Sequence, residues 1–152
     1  MATGRPNDPQ KKERYLSKYL DIPNEPLYPF GYGLSYTAFT ISDVILSSDR
    51  LTKDGEITAS VCIQNTGERE GSDVLQLYIR DVTASVARPV KELKGIEKVS
   101  LKPGEKKEIS FRITEEMLRF VRADGSYGSE PGKFRVWISD SSDSGVYQEF
   151  IL

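Results

Sequence analysis

Apolar and polar residues alternate along most of the chain from Phe39 onward. In the clearest stretch, 57–64, apolar side chains occupy the odd positions, while threonine, serine, cysteine and glutamine occupy the even ones. A period of two predicts β-strands that each bury one face. By this parity we expect the inward positions to include Val61, Leu77, Phe111 and Val136.

The alternation is interrupted at two places. After Ile41 the apolar positions change parity and resume at Val44, which predicts a β-bulge near Asp43. The stretch 93–101 predicts one strand, or two strands broken at Gly95. The sequence Lys-Pro-Gly-Glu at 102–105 is typical of a type I or type II turn between strands.

The complete pattern predicts about seven short strands separated by turn signals, as in β-sandwich domains. Strict alternation favours antiparallel sheets with one buried face each. No helical pattern is long enough to connect parallel strands, which argues against an α/β fold. We therefore predict an all-β, antiparallel sandwich of the immunoglobulin or fibronectin type III-like kind over residues 28–152.

The first 27 residues differ from the rest in composition. They are rich in turn-forming and charged residues, and three prolines between 23 and 29 forbid a continuous helix or a central strand. We expect 1–27 to form an extended, poorly packed arm, with one helical turn near 14–19.

Composition narrows the function classes. The 152 residues are 38% hydrophobic and 29% charged, as expected of one soluble globular domain. The net charge of −2 provides no basic surface for nucleic acid or an anionic membrane, so neither is an expected partner. No apolar run reaches the roughly 18 residues that a membrane span requires.

The chain contains no histidine and a single cysteine, Cys62. This excludes Ser–His and Cys–His nucleophile pairs, and it removes the commonest metal ligand. Cys62 shares parity with polar residues and has no electropositive neighbours in sequence, so we expect no nucleophilic role for it. We predict no metal site and no cofactor.

Paired carboxylates could serve glycoside hydrolysis. The candidate pairs are Glu115 with Glu116, Asp140 with Asp143, and Glu68 with Glu70. No apolar pocket lies within sequence reach of them, so we interpret all of them as solvated loop charges. Thr114 is expected to cap a single helical turn there. The loop 140–145 resembles a calcium loop in composition, but it lacks the closing glutamate, and a plain hairpin loop is favoured.

Trp137 and Tyr78 occupy outward positions on their strands. Exposed aromatic rings on a sheet can stack on sugars, which makes both residues sugar-contact candidates. Such rings can also mark a protein interface or lie under a loop as a satellite core. The last two interpretations together are favoured, because a lone tryptophan is seldom a binding platform.

The run Pro-Phe-Gly-Tyr-Gly-Leu-Ser-Tyr-Thr at 29–37 combines aromatic residues with glycines between the arm and the first strand. Glycine permits tight turns and close backbone approach, and aromatic clusters seldom stay solvated without a reason. The run predicts a junction between two domains. Its interface candidates are Tyr28, Phe30, Tyr32 and Tyr36.

Several stretches resemble, in this order, the C-terminal part of glycoside hydrolase family 3, especially the bacterial periplasmic-type β-glucosidases. They are Thr-Gly-Arg-Pro at 3–6, Leu-Tyr-Pro-Phe-Gly-Tyr-Gly-Leu-Ser-Tyr-Thr at 27–37, Asn-Thr-Gly at 65–67 with Glu-Gly at 70–71, Gln-Leu-Tyr at 76–78, Arg-Pro-Val-Lys-Glu-Leu-Lys-Gly at 88–95, Leu-Lys-Pro-Gly-Glu at 101–105 and Glu-Pro-Gly at 130–132. The resemblance covers nearly the whole chain.

The resemblance implies a fibronectin type III-like domain that follows a barrel and an α/β domain, with 1–27 as the tail of the α/β domain and a linker. The family's nucleophile lies in a Ser-Asp-Trp stretch of the barrel, which this sequence lacks, and the family's Lys-His pair is also missing. The acid/base glutamate belongs to the α/β domain. No catalytic residue can therefore be assigned to this chain.

The resemblance further implies a non-catalytic accessory domain of a retaining β-glucosidase, or of a relative such as a xylosidase. Its expected partners are the other domains of the same parent, reached through the aromatic run and the loop that carries Arg88. A periplasmic or secreted parent is implied, a cytoplasmic one is not excluded, and the oligomeric state stays open. The alternatives are a carbohydrate-binding module using Trp137 and Tyr78, or a cell-surface adhesion module, although no repeat is present.

Overall fold

The computed structural model describes residues 25–152. The predicted arm, 1–27, therefore lies almost wholly outside the described residues, as does the helical turn expected near 14–19. The division of the chain at residue 28 stays a prediction.

The described residues form ten β-strands and one short 3-10 helix. In chain order the strands are β1 (Phe39–Ile41), β2 (Ile45–Leu46), β3 (Glu56–Asn65), β4 (Gly71–Asp81), β5 (Glu92–Leu101), β6 (Lys106–Thr114), β7 (Phe120–Val121), β8 (Tyr127–Gly128), β9 (Lys133–Ser139) and β10 (Gln148–Ile151). The 3-10 helix, Glu115–Leu118, lies between β6 and β7.

The strands form two antiparallel four-stranded sheets and a small hairpin. In sheet 1, β3 pairs with β6, and it also pairs with the short strands β1 and β2. Sheet 2 has the order β10-β9-β4-β5. The hairpin of β7 and β8 was not expected, but the seven predicted strands correspond to the rest when β1 and β2 count as one. The all-β sandwich prediction is confirmed.

The predicted bulge near Asp43 is present between β1 and β2. Ile41 pairs with Ile63, and Ile45 pairs with Ser60. From Ile41 to Ile45 the chain advances four residues, while the paired stretch of β3, from Ile63 to Ser60, advances only three. One extra residue is therefore accommodated in the bulge.

β5 is a single strand despite Gly95. Its pairing with β4 places Leu77 opposite Gly95 and Tyr78 opposite Leu93, so Lys94 is the residue without a partner. A side chain at position 95 would begin 3.1 Å from the ring of Phe111 on β6, across the sandwich. The glycine thus admits the ring between the two sheets without breaking the strand.

Apolar residues from the facing sides of both sheets form one core. Its centre includes Phe134 and Phe150, whose rings stack with centroids 5.4 Å apart. Three of the four positions expected to face inward, Val61, Leu77 and Val136, are buried. The fourth, Phe111, is only partly buried, because it packs against the core from the edge of sheet 1.

Candidate functional site

An aromatic segment, residues 27–36, precedes β1 and projects its apolar side chains into solvent. The exposed members are Leu27, Tyr28, Phe30, Tyr32, Leu34 and Tyr36. Leu34 is 91% exposed and Tyr36 94%, values that place the whole side chain outside the sandwich. Large exposed apolar side chains in this number are unusual on a soluble domain, and the expected role of Tyr28, Phe30, Tyr32 and Tyr36 at a domain interface stays a prediction.

The backbone of the aromatic segment has a defined turn. The amide of Tyr32 donates a hydrogen bond to the carbonyl of Pro29 at 3.0 Å, and Gly31 between them has φ +86°. Positive φ at the third residue is the signature of a type II turn, which strongly favours glycine. A Cβ on Gly31 would also lie 2.7 Å from the carbonyl oxygen of Asp140, so the turn lies directly on the loop after β9.

Both ends of the aromatic segment are tied to the sandwich. At its start, the amide of Ser142 donates to the carbonyl of Phe30 at 2.8 Å. Just beyond its end, the hydroxyl of Thr37 donates to the side-chain oxygen of the buried Asn65 at 2.7 Å. Inside the segment, the rings of Tyr28 and Tyr32 stack with centroids 4.9 Å apart. The segment therefore combines exposed side chains with a held backbone.

Two carboxylates, Asp73 and Asp140, line a cleft of about 380 Å³ beside the aromatic segment. Burial is the main cause that raises the pKa of Asp73 above its ordinary value, and the charge of Asp140 raises it further. A hydrogen bond from the amide of Val74 partly opposes both effects. The ionised form of Asp73 is therefore less favourable in the folded chain than in water.

Trp137 and Tyr78 do lie opposite each other on the outer face of sheet 2, as their parity predicts. Their expected exposure is wrong, because Tyr78 is 3% exposed and Trp137 7%. The ammonium of Lys91 lies 4.8 Å from the centroid of the Trp137 ring. The centroids of the Trp137 and Tyr147 rings are 5.4 Å apart. The two residues form a covered satellite cluster, so neither ring offers a face for stacking on a sugar.

Arg88 contacts residues of its own domain. Its guanidinium pairs with Glu92 at 2.7 Å and lies 4.6 Å from the centroid of the Phe120 ring. These contacts fasten the loop between β4 and β5 to the β7–β8 hairpin. A contact of Arg88 with another domain stays a prediction.

Glu115 corrects the interpretation of the candidate carboxylates as solvated. It is 5% exposed, and Arg119 and Ser129 both donate hydrogen bonds to it. The hydrogen bond from Arg119, and next that from Ser129, hold the pKa of Glu115 below its ordinary value. Such a group stays ionised and cannot serve as a general acid near neutral pH. Thr114 occupies the N-cap position of the single helical turn Glu115–Leu118, with Glu115 and Glu116 in its first turn as expected, but its side chain makes no capping hydrogen bond.

Glu115 lines a cleft of about 660 Å³ at one end of the sandwich, together with the cationic residues Arg50, Lys53, Arg119 and Arg122. The other five candidate carboxylates are exposed, as expected of loop charges. Within residues 25–152 no group of three or more potential ligands could hold a metal ion. Over the same range, no helix has the length and apolar character needed to cross a membrane.

Comparison with known proteins places this geometry in a family. The fibronectin type III-like domain family matches residues 73–142. A periplasmic β-glucosidase of Salmonella typhimurium is 58% identical over 142 residues, which are 93% of this chain and 19% of that protein. A putative β-xylosidase of Formosa agariphila is 51% identical over 132 residues, 87% of this chain and 18% of that protein.

The crystal structure of a Listeria innocua β-glucosidase in complex with glucose superposes with a TM-score of 0.88 at 45% identity. The match covers 98% of this chain and 21% of that one. This chain belongs to the fibronectin type III-like domains of glycoside hydrolase family 3. The fibronectin type III-like domain spans about a fifth of the length of the relatives that it matches.

Sequence reasoning on this fibronectin type III-like domain missed three residues whose side chains hydrogen-bond next to the aromatic segment or to the 140–145 loop beside it. They are Asn65, Gln76 and Lys91. Their hydrogen bonds join residues that are 28, 64 and 51 positions apart in sequence, so no local pattern could indicate them.

Proposed function

We propose that this fibronectin type III-like domain is the non-catalytic structural part of a retaining β-glucosidase that hydrolyses terminal β-D-glucosides. The identity to proteins named β-glucosidase supports the activity of the parent, and the match to a putative β-xylosidase keeps β-xylosides as the alternative substrate. The name of the Salmonella typhimurium relative supports a periplasmic or otherwise exported parent.

The single observation that carries the proposal is the exposed aromatic segment on a held backbone. Exposed apolar side chains favour binding, and aromatic residues are enriched at the cores of protein interfaces. A backbone that is already ordered loses little further entropy when it docks. The partner is the remainder of the same polypeptide, because the matched relatives are about five times longer than this chain.

The chemistry of the described residues supports a structural role. Retaining glycoside hydrolysis needs two carboxyl groups, one of which must be protonated at working pH. Glu115, the buried member of the candidate pairs, has a lowered pKa and is held by Arg119. The nucleophile and the acid therefore come from the rest of the parent protein.

The first test is a pair of activity assays. The isolated chain should hydrolyse neither nitrophenyl glucoside nor nitrophenyl xyloside. In parallel, this chain should replace the matching 142-residue segment of the Salmonella typhimurium β-glucosidase, with deletion of that segment as the control. We expect a soluble, active chimera and an inactive or insoluble deletion. Turnover by the isolated chain, or full activity of the deletion, would overturn the proposal.

A further inference from the structure

We infer that Lys91 and Gln76 are positioning residues, which act through the 140–145 loop to hold the aromatic segment in the shape that docks. This inference rests on the proposed function in one respect, which is the identity of the partner that the aromatic segment binds. The hydrogen bonds that hold the segment are properties of this chain alone.

The first step is the cover over the satellite cluster. Lys91 lies above the buried rings of Tyr78 and Trp137, with its ammonium 5.8 and 4.8 Å from their centroids. The ammonium donates hydrogen bonds to the carbonyl of Ser142 at 2.7 Å and to that of Ser144 at 3.4 Å. One side chain immediately before β5, the edge strand of sheet 2, therefore contacts the loop that follows β9.

The second step is the buried amide of Gln76, which is 4% exposed. Its nitrogen donates to the carbonyl of Asp140 at 2.7 Å, and its oxygen accepts the hydroxyl proton of Tyr78. Leaving buried polar groups unpaired costs about 1 to 3 kcal/mol, so this arrangement strongly favours one position of the loop.

The third step carries the order of the loop to the aromatic segment. The loop donates the Ser142 amide to the carbonyl of Phe30 at 2.8 Å. Gly31 packs against both the Gln76 side chain and the Asp140 carbonyl, with no room for a Cβ. Lys91 and Gln76 thus act on the aromatic segment through the 140–145 loop.

The burial of a lysine here supports a positioning role. Desolvation lowers the pKa of Lys91 and the charge of Asp143 partly opposes this shift, so holding the ammonium in this place has a cost. Two converging carbonyl oxygens offset that cost, since a charged donor forms the stronger kind of hydrogen bond. In return, the docking surface is preorganised, and a preorganised surface loses less conformational entropy on binding.

The test is amide hydrogen exchange on Lys91→Met in the intact chain. The reporters are the amides of Ser142 and Tyr32, which are donors in the loop and in the turn of the segment. We expect their exchange to accelerate by about tenfold or more, because a hydrogen bond from a charged donor is worth at least that much. Amides of β3 should be unchanged, and Lys91→Arg should restore part of the protection.

Lys94→Met is the matched control. Lys94 lies three residues further along the chain, on β5, and is partly buried like Lys91, but its ammonium pairs with Glu92. Lys94→Met should leave the exchange rates of the Ser142 and Tyr32 amides unchanged. Lys91→Gln, a milder variant, should give a smaller acceleration at the same two amides. Unchanged exchange in Lys91→Met and Lys91→Gln, or an equal rise across all strands, would overturn the inference.

A second measurement separates this inference from the proposed function. Lys91→Met in the Salmonella typhimurium chimera should lower its melting temperature more than Lys94→Met does. Faster exchange in the isolated chain without any effect in the chimera would leave the positioning role intact and would count against docking through the segment.

Discussion

The hydroxyl of Thr37 donates a hydrogen bond to the side-chain oxygen of Asn65 across 2.7 Å, and this bond joins the end of the aromatic segment to the core. Asn65 is fully buried, and its amide nitrogen donates to the carbonyls of Arg69 and Leu101 at 2.7 and 2.9 Å. The backbone amide of Gly67 donates to the same side-chain oxygen at 3.1 Å. All the hydrogen-bonding capacity of this side chain is therefore used.

Asn65→Ala should lower the free energy of unfolding by about 2 to 4 kcal/mol, because it removes the side-chain donor to the buried Leu101 carbonyl and frees Thr37. Urea unfolding measures the loss. The control is the exposed neighbour Thr66→Ala, which removes one long hydrogen bond to Ala38 at 3.3 Å and should cost far less. Equal losses in both variants would contradict the role given to Asn65.

Glu115 should make the free energy of unfolding depend on pH in the acidic range. Its pKa in the folded chain lies below the ordinary value of 4.5, so folding favours the ionised form. Its contribution is fully present above about pH 4.5 and is lost as the pH falls through the lower folded pKa. Glu115→Gln should therefore be less stable than the parent chain at pH 7 by about 1 to 3 kcal/mol.

The gap between Glu115→Gln and the parent chain should narrow on acidification, as measured by urea unfolding between neutral and acidic pH. Glu116→Gln serves as the control, because Glu116 is mostly exposed and its pairing distance to Arg119 is 3.6 Å. A gap that stays constant across the acidic range would show that the charge of Glu115 does not support the fold.

The charge of Asp73 should change the stability of the fold in the direction opposite to that of Glu115. Its folded pKa is raised, chiefly by burial, so folding favours the protonated form. The ionised group therefore opposes folding at neutral pH, and this penalty disappears as the pH falls below the ordinary value of 3.8. Asp73→Asn keeps an oxygen for the Val74 amide and should raise the melting temperature at pH 7 but not at acidic pH. A lower melting temperature at pH 7 would contradict this account.

Sugar binding by the isolated chain should be weak. The rings of Tyr78 and Trp137 are covered, so β-glucosides and cello-oligosaccharides should bind no more tightly than about millimolar. Titration with tryptophan fluorescence tests this, since Trp137 is the only tryptophan. Saturable micromolar binding that Trp137→Phe abolishes when binding is followed by calorimetry would restore the carbohydrate-binding alternative.

Local patterns predicted the strands well, because parity depends only on neighbouring residues. The change of apolar parity after Ile41 indicated the bulge, and the alternation at 57–64 indicated the buried face of β3. Parity also placed Trp137 on the outer face of sheet 2. It could not indicate that this face is covered, because the cover comes from Lys91, which is distant in sequence.

The burial of Glu115 escaped prediction for a similar reason. Its partner Ser129 lies next to the β7–β8 hairpin, two short strands of two residues each that leave no periodic signal. The aromatic segment, in contrast, was evident from composition. Within residues 25–152, six of its large side chains are exposed.

The central claim is that the aromatic segment binds the rest of the parent protein. The direct measurement is thermal unfolding of a variant that combines Phe30→Ala and Tyr36→Ala, in the isolated chain and in the Salmonella typhimurium chimera. Both side chains are mostly exposed here, so the isolated chain should melt at an unchanged temperature. The control is Tyr127→Ala, which removes a tyrosine that is 68% exposed on β8.

In the chimera, the double variant should melt several degrees lower than the control, because each buried aromatic anchor at an interface can contribute about 2 kcal/mol. Activity after mild heating should fall in parallel. The account is contradicted if the double variant and the Tyr127→Ala control melt together in the chimera, or if the double variant destabilises the isolated chain just as much.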